Sequence, residues 1–233
     1  MISLGWAGLS RAILAAIGAS LLAGCARSPS TLPPPVRQLN LEIRLAEPAN
    51  LNYHYFFAID ADGDDSDGPV PVVGAGPFGG GEWFTYWGMI SDTDPPEIPS
   101  DWVEYHNGYF WQVHDGDFIG IPYRRSVSPD GTRLSVTVDL DQVTRVVTRL
   151  DINFITVDSL VAPPPTPVRE NYDALGDMGN DYISVPIDYS YQSGVDNSTA
   201  CPGGASCEDD QEVKPLDPSL DIIDWSVTVN LPD

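Results

Sequence analysis

Carboxylates crowd one short segment of this 233-residue chain, Asp60-Ala-Asp62-Gly-Asp64-Asp-Ser-Asp67-Gly68. Acids at alternating positions of a glycine-containing loop can converge on one hard cation. Ca²⁺ suits them best, because it takes six to eight oxygens from side chains, carbonyls and water. The candidate ligands are Asp60, Asp62, Asp64 and Asp67. Neighbouring carboxylates repel unless they are solvated or bridged. A calcium loop and a solvated acidic turn are therefore the two open alternatives. Aromatic residues form the second concentration. Trp83, Trp87, Trp102 and Trp111 stand among Tyr, Phe and polar residues within a few dozen positions. If these stretches are strands, half of the rings face a core and the other half can stack against sugar rings. His106 and His114, near Glu104, Asp115 and Asp117, are the third group. Metal-assisted hydrolysis would need the two imidazoles to converge with a carboxylate. The chain has no His-Glu-x-x-His, Gly-x-Ser-x-Gly or phosphate-binding loop motif, so no catalytic centre is expected.

The elements that must carry these groups are strands. Leu39, Leu41, Ile43 and Leu45 alternate with Asn40, Glu42 and Arg44, the pattern of a half-buried strand. Leu134, Val136 and Val138 repeat it, as do Leu150, Ile152 and Phe154 with Thr156 on the same face. So do Ile223, Trp225, Val227 and Val229. Tyr53 to Ile59 is aromatic throughout and reads as a central strand. Asn107-Gly108 between Trp102–Tyr105 and Tyr109–Val113 is the best hairpin signal. Phe118 to Tyr123 reads as the next strand, and 139–146 as one short helical turn. The expected fold is all-β, an antiparallel β-sandwich with long irregular loops.

The first 24 residues read as an export signal. Arg11 precedes a short apolar run from Ala12 to Leu22 that ends in small residues. Leu22-Ala-Gly-Cys25 resembles the lipobox of bacterial lipoproteins at every position. The resemblance implies cleavage before Cys25, a diacylglycerol thioether on its sulfur and acylation of the new amino group. Two or more acyl chains give stable membrane anchoring. It also implies the cell envelope, with the outer membrane favoured in a diderm host because Ala26 rather than Asp follows. Residues 25–36, rich in Ser and Pro, form a tether. Residues 37–233 are read as one domain, with a long acidic excursion over about 162–219. That excursion contains Cys201 and Cys207. An exported compartment oxidises thiols, so a disulfide is expected there, with a zinc site as the alternative.

The chain carries 11 Lys+Arg against 34 Asp+Glu, a net charge of −23. Such a surface repels nucleic acid and anionic headgroups. The remaining partners are the membrane through the lipid anchor and a glycan or protein. Three stretches carry a family resemblance. Tyr55-Phe-Phe-Ala-Ile-Asp-Ala-Asp-Gly-Asp64, together with Leu134–Leu140 and Leu150–Thr156, resembles sandwich modules of the DOMON and family 9 carbohydrate-binding type. The resemblance implies an antiparallel sandwich and transfers no sugar or haem site. The Asp-rich loop also resembles the first half of an EF-hand loop. It departs where position six is Asp65 rather than Gly and position twelve is Pro71 rather than Glu. The reading is thus a non-catalytic structural or interaction domain, with calcium the candidate stabiliser at the Asp-rich loop and a carbohydrate-binding module as the alternative.

Overall fold

The computed structural model describes residues 37–64, 66–72, 87–91, 97–143, 147–160, 171–176, 179, 181–187, 195–197 and 215–231. Cys25, Trp83, Cys201 and Cys207 lie outside the described residues, as do the signal and the tether. The alternating strands meet first. β1 (Gln38–Leu45) lies between β14 (Ile222–Asn230) and β9 (Arg133–Asp139), antiparallel to both. β13 (Val195–Asp196) and β8 (Arg124–Val127) complete a five-stranded sheet in the order β13-β14-β1-β9-β8. Its inner face is Leu39, Leu41, Ile43, Leu45, Leu134, Val136, Val138, Trp225, Val227 and Val229, all buried. The outer face carries Asn40, Glu42, Ser135, Thr137, Ser226 and Thr228. This separation follows from the two-residue period of a strand. Ile223 was expected on the buried face, but the register slips between Arg44 and Leu45, so that Arg44 faces Asp224 and Leu45 faces Ile222. Ile223 is the extra residue of this bulge, and Ile222 takes the buried place.

The second sheet runs β11 (Tyr172–Ala174), β10 (Arg149–Val157), β2 (His54–Asp60), β5 (Asp101–His106), β6 (Tyr109–His114), β7 (Asp117–Gly120). β12 (Ile183–Pro186) also pairs with β10, as the seventh strand. β11, β12 and β13 all fall inside the stretch read as an acidic excursion, so its described parts extend the sheet edges. The two sheets pack as a sandwich. Tyr55, Phe57, Ile59, Val103, Tyr105, Leu150, Ile152 and Phe154 meet the inner face of the first sheet. Several polar groups that enter this core find partners there. The buried Tyr55 hydroxyl donates to Ser219 O and accepts from Asn50 N. Thr156 and Asp173, opposite one another on β10 and β11, take hold of the chain as it returns to β14. Thr156 Oγ1 donates to Leu220 O at 2.6 Å, and Asp173 Oδ2 accepts from Ile222 N at 2.6 Å.

The second sheet is also covered on part of its outer face. A two-stranded ribbon, β3 (Pro69–Pro71) with β4 (Gly88–Ile90), lies over β10, and Asn153 Nδ2 donates to Pro69 O. Phe56, Ala58, Trp87, Trp102, Ile155, Val157, Tyr172 and Ala174 form this second core. The hairpin expected at Asn107-Gly108 is present. Both residues have positive φ, 52° and 81°, as a tight turn matched to strand twist requires. Asp115-Gly116 makes a second such turn into β7. The expected strand 118–123 splits into β7 and a break before β8, and the helical turn expected over 139–146 is present as α1 (Leu140–Val143).

Phe154 packs edge-on to Phe57 at 5.7 Å and is fully buried. Phe154→Ala should therefore lower unfolding free energy by about 3–5 kcal/mol. Leu216→Ala, at a residue 78% exposed, should change it by less than about 0.5 kcal/mol. Urea unfolding of the two variants checks this, and comparable losses would contradict the packing.

Candidate functional site

The outer face of the second sheet changes character across its width. At one end four nearly parallel rings form a column. Trp87 stacks on Phe56 at 4.0 Å, Phe56 faces His54 at 6.2 Å, and His54 stacks on His106 at 3.9 Å. Trp102 meets Trp87 edge-on at 5.5 Å. Trp87 and Trp102, expected as part of a sugar platform, are 2% and 9% exposed and belong to the second core. The reason is coverage, since β4 brings Trp87 down onto β2 and β5. Among the described residues the cover ends at β5, with Val113 alone of β6 packed against it. Beyond it, Tyr109, Trp111 and Phe118 are 65%, 41% and 60% exposed. They touch one another, Tyr109 to Trp111 at 6.1 Å and Trp111 to Phe118 at 5.5 Å. The expected Trp111 thus stands open, joined by Tyr109 and Phe118.

The register explains this grouping. Glu104 lies opposite Trp111, His106 opposite Tyr109, and Val113 opposite Phe118. All project from one face of β5, β6 and β7, with His54 beside them on β2. The polar members are fixed. His54 Nδ1 bonds Glu104 Oε1 at 2.6 Å, and the half-buried pair has side-chain exposures of 13% and 20%. A ring nitrogen facing a carbonyl must carry the proton, so His106 Nδ1 donates to Tyr53 O at 3.0 Å. Its Nε2 then accepts from the Asn107 amide at 2.7 Å. His54, Glu104 and His106 each offer one ligand atom within 4.8 Å of the others. However, imidazole lone pairs lie in the ring planes, and these two planes are stacked 5° from parallel. Such lone pairs do not point at one ion, so the trio serves as a polar rim beside the exposed rings.

His106 and His114 are not brought together. Asp101 pairs with His114 and His106 with Tyr109, five positions apart on β5, which puts the two imidazoles on opposite faces. On the inner face, His114 Nδ1 bonds the buried Asp101 at 2.6 Å, and Ser100 Oγ donates to the other oxygen at 2.8 Å. Burial pushes the Asp101 carboxyl up to about 6, against the downward pull of these two hydrogen bonds.

The acidic loop follows β2. Each Asp accepts the N–H two residues on: Asp62 N to Asp60 Oδ1, Asp64 N to Asp62 Oδ1 and Ser66 N to Asp64 Oδ1. These successive Asx turns curl the segment. Tyr182 closes over its end, where a Cβ on Gly68 would lie 2.7 Å from the ring. Of the four expected ligands, Asp60, Asp62 and Asp67 converge, each with an oxygen within 4.8 Å of the others. Asp64 is not in this group. It is exposed, and its Oδ1 also takes the Ser66 hydroxyl at 2.8 Å. Burial pushes the Asp60 carboxyl up to about 7, helped by Asp62, Asp67 and Asp151.

A third feature was not expected. The outer face of the five-stranded sheet holds an open trough of about 700 Å³. Asn40, Ser135, Thr137, Ser226 and Thr228 floor it, and Tyr123 edges it. Arg124 sits 5.5 Å from the Tyr123 ring centre, which occupies that aromatic face. The alternation of β1 and β9 marked these residues as outward-facing, but nothing in a single strand's pattern shows four strands curving into a trough. No family model matches the chain, and no curated protein or solved structure does so either. What the site can do is therefore read from its own geometry.

Asp101 titrates higher when folded than its ordinary value of 3.8. The stability it contributes is present in full below about pH 4 and is lost as pH rises through about 6. Asp101→Asn should flatten the decline in melting temperature over that window. Thermal melts of both proteins from about pH 4 to pH 7 test this, and an unchanged slope would contradict it.

Proposed function

We propose that this chain is a non-catalytic binding module of the cell envelope, held by lipid on Cys25, and that it binds a neutral glycan across Tyr109, Trp111 and Phe118. The observation that carries the reading is the open, contiguous ring cluster at the end of a sheet whose other large aromatics are buried. Single exposed apolar residues are ordinary, whereas a touching set marks an interaction surface. Leaving a large apolar side chain in water forgoes about 1.5–3 kcal/mol that a ligand can recover.

Chemistry selects the ligand class. A net charge of −23 disfavours anionic partners at long range. The electron-rich faces of aromatic rings favour the C–H faces of sugars. Glu104, His54 and Asn107, along one side of the rings, supply acceptors and donors for hydroxyl groups. Lipid anchoring rests on Leu22-Ala-Gly-Cys25, and the 12-residue segment 25–36 gives the domain reach from the membrane.

Glycan-array screening of the full chain should find neutral oligosaccharides. Trp111→Ala should weaken binding by about 30-fold, near 2 kcal/mol, as an anchoring Trp does. The same change should shift stability by less than about 0.5 kcal/mol, because the ring is already exposed. An array with no neutral glycan bound, or a Trp111→Ala variant that binds equally well, would refute the ligand assignment. Anchoring is tested apart: labelled fatty acid should join the wild-type chain in a bacterial host and fail to join Cys25→Ser. Equal labelling of both would remove the lipid from Cys25.

A further inference from the structure

We propose that Asp60, Asp62 and Asp67 form a site for one calcium ion, which fastens the loop between β2 and β3 to the sheet. Two independent observations meet here. The first is convergence. One carboxylate oxygen from each residue lies within 4.8 Å of the other two. Oxygens that share an ion at 2.3–2.6 Å must lie within about twice that distance of one another. The second is Asp60 itself. It is only 3% exposed, and its Oδ2 is buried with no hydrogen-bond partner. Its other oxygen takes the Asp62 N–H. The charges around it are the carboxylates of Asp62, Asp67 and Asp151, all of its own sign. Buried carboxylates ordinarily pair with a cation or donor, so Asp60 is short of one.

The donor set specifies the ion's class. All three groups are hard oxygen ligands, and neither a thiolate nor an imidazole is among them. An irregular loop in which Asp62 is exposed and Asp67 half-buried suits the flexible, high coordination of Ca²⁺ better than the strict octahedron of Mg²⁺. Waters and carbonyl oxygens would fill the remaining positions. Bound there, the ion would tie the end of β2 to the start of β3, and so would hold down the ribbon that covers the second core.

The test uses the full chain, purified in detergent, stripped with chelator and titrated with CaCl₂ by calorimetry. The expected result is one saturable site with Kd of about 0.1–1 mM, the range of extracellular calcium modules, and a melting temperature that rises with Ca²⁺. Asp60→Asn should abolish binding, and Asp62→Asn should weaken it at least about tenfold. Asp64→Asn, in the same loop but outside the cluster, should bind as wild type does. Should Asp60→Asn fail to fold, the exposed Asp62 variant decides alone. No saturable binding by the wild type would overturn the site. So would an Asp64→Asn loss as large as that of Asp62→Asn, or an equal rise in melting temperature with MgCl₂.

Discussion

The central strands of the larger sheet, β2 and β10, are buried on both faces. Apart from its first residue, each is inaccessible along its whole length. One face meets the five-stranded sheet and the other meets the β3–β4 ribbon with Trp87 and Tyr172. Two-sided burial removes the usual freedom to place polar residues on alternate positions. Those that remain carry structural roles or, as at Asp60 Oδ2, stand out for lacking a partner. Asn153 ties down the ribbon, Thr156 and Asp173 fix the return of the chain to β14, and Asp60 faces a cluster of its own charge.

Among the described residues the cover reaches β5 and, on β6, only Val113. That limit determines the chemistry of the outer face. On the covered side the rings stack into a column from Trp87 to His106, and on the bare side Tyr109, Trp111 and Phe118 touch in solvent. The His54–Glu104 pair stands at the boundary, half-buried, where it can offer polar atoms to a ligand lying on the rings. The acidic loop occupies another margin of the same cover, where the ribbon leaves β2. The open ring cluster and the converging carboxylates thus both lie where one layer stops.

Much of the fold was legible in the sequence because a single strand's alternation encodes which face is buried. Leu39, Leu41, Ile43 and Leu45 declare it, and so do Leu134, Val136 and Val138. Asn107-Gly108 declared its hairpin because a two-residue turn with positive φ has few alternatives. Other features depend on distant chain. Trp87, Trp102 and Trp111 look alike in sequence, and only the position of the ribbon decides that the first two are buried and the third is open. The polar β8 carries no apolar pattern, and it pairs because β9 offers it an edge. Among the acids, Asp60, Asp62, Asp64 and Asp67 all stood as candidates, and the Asx turns bend the segment so that Asp60, Asp62 and Asp67 converge while Asp64 stays outside.

Hydroxyl-radical footprinting read by mass spectrometry tests most directly whether the cover stops at β5. The account predicts rapid oxidation of Tyr109, Trp111 and Phe118 in the free protein, slow oxidation of Trp87 and Trp102, and ligand protection confined to the first three. Oxidation of Trp111 as slow as that of Trp102, or ligand protection falling elsewhere on the surface, would contradict it.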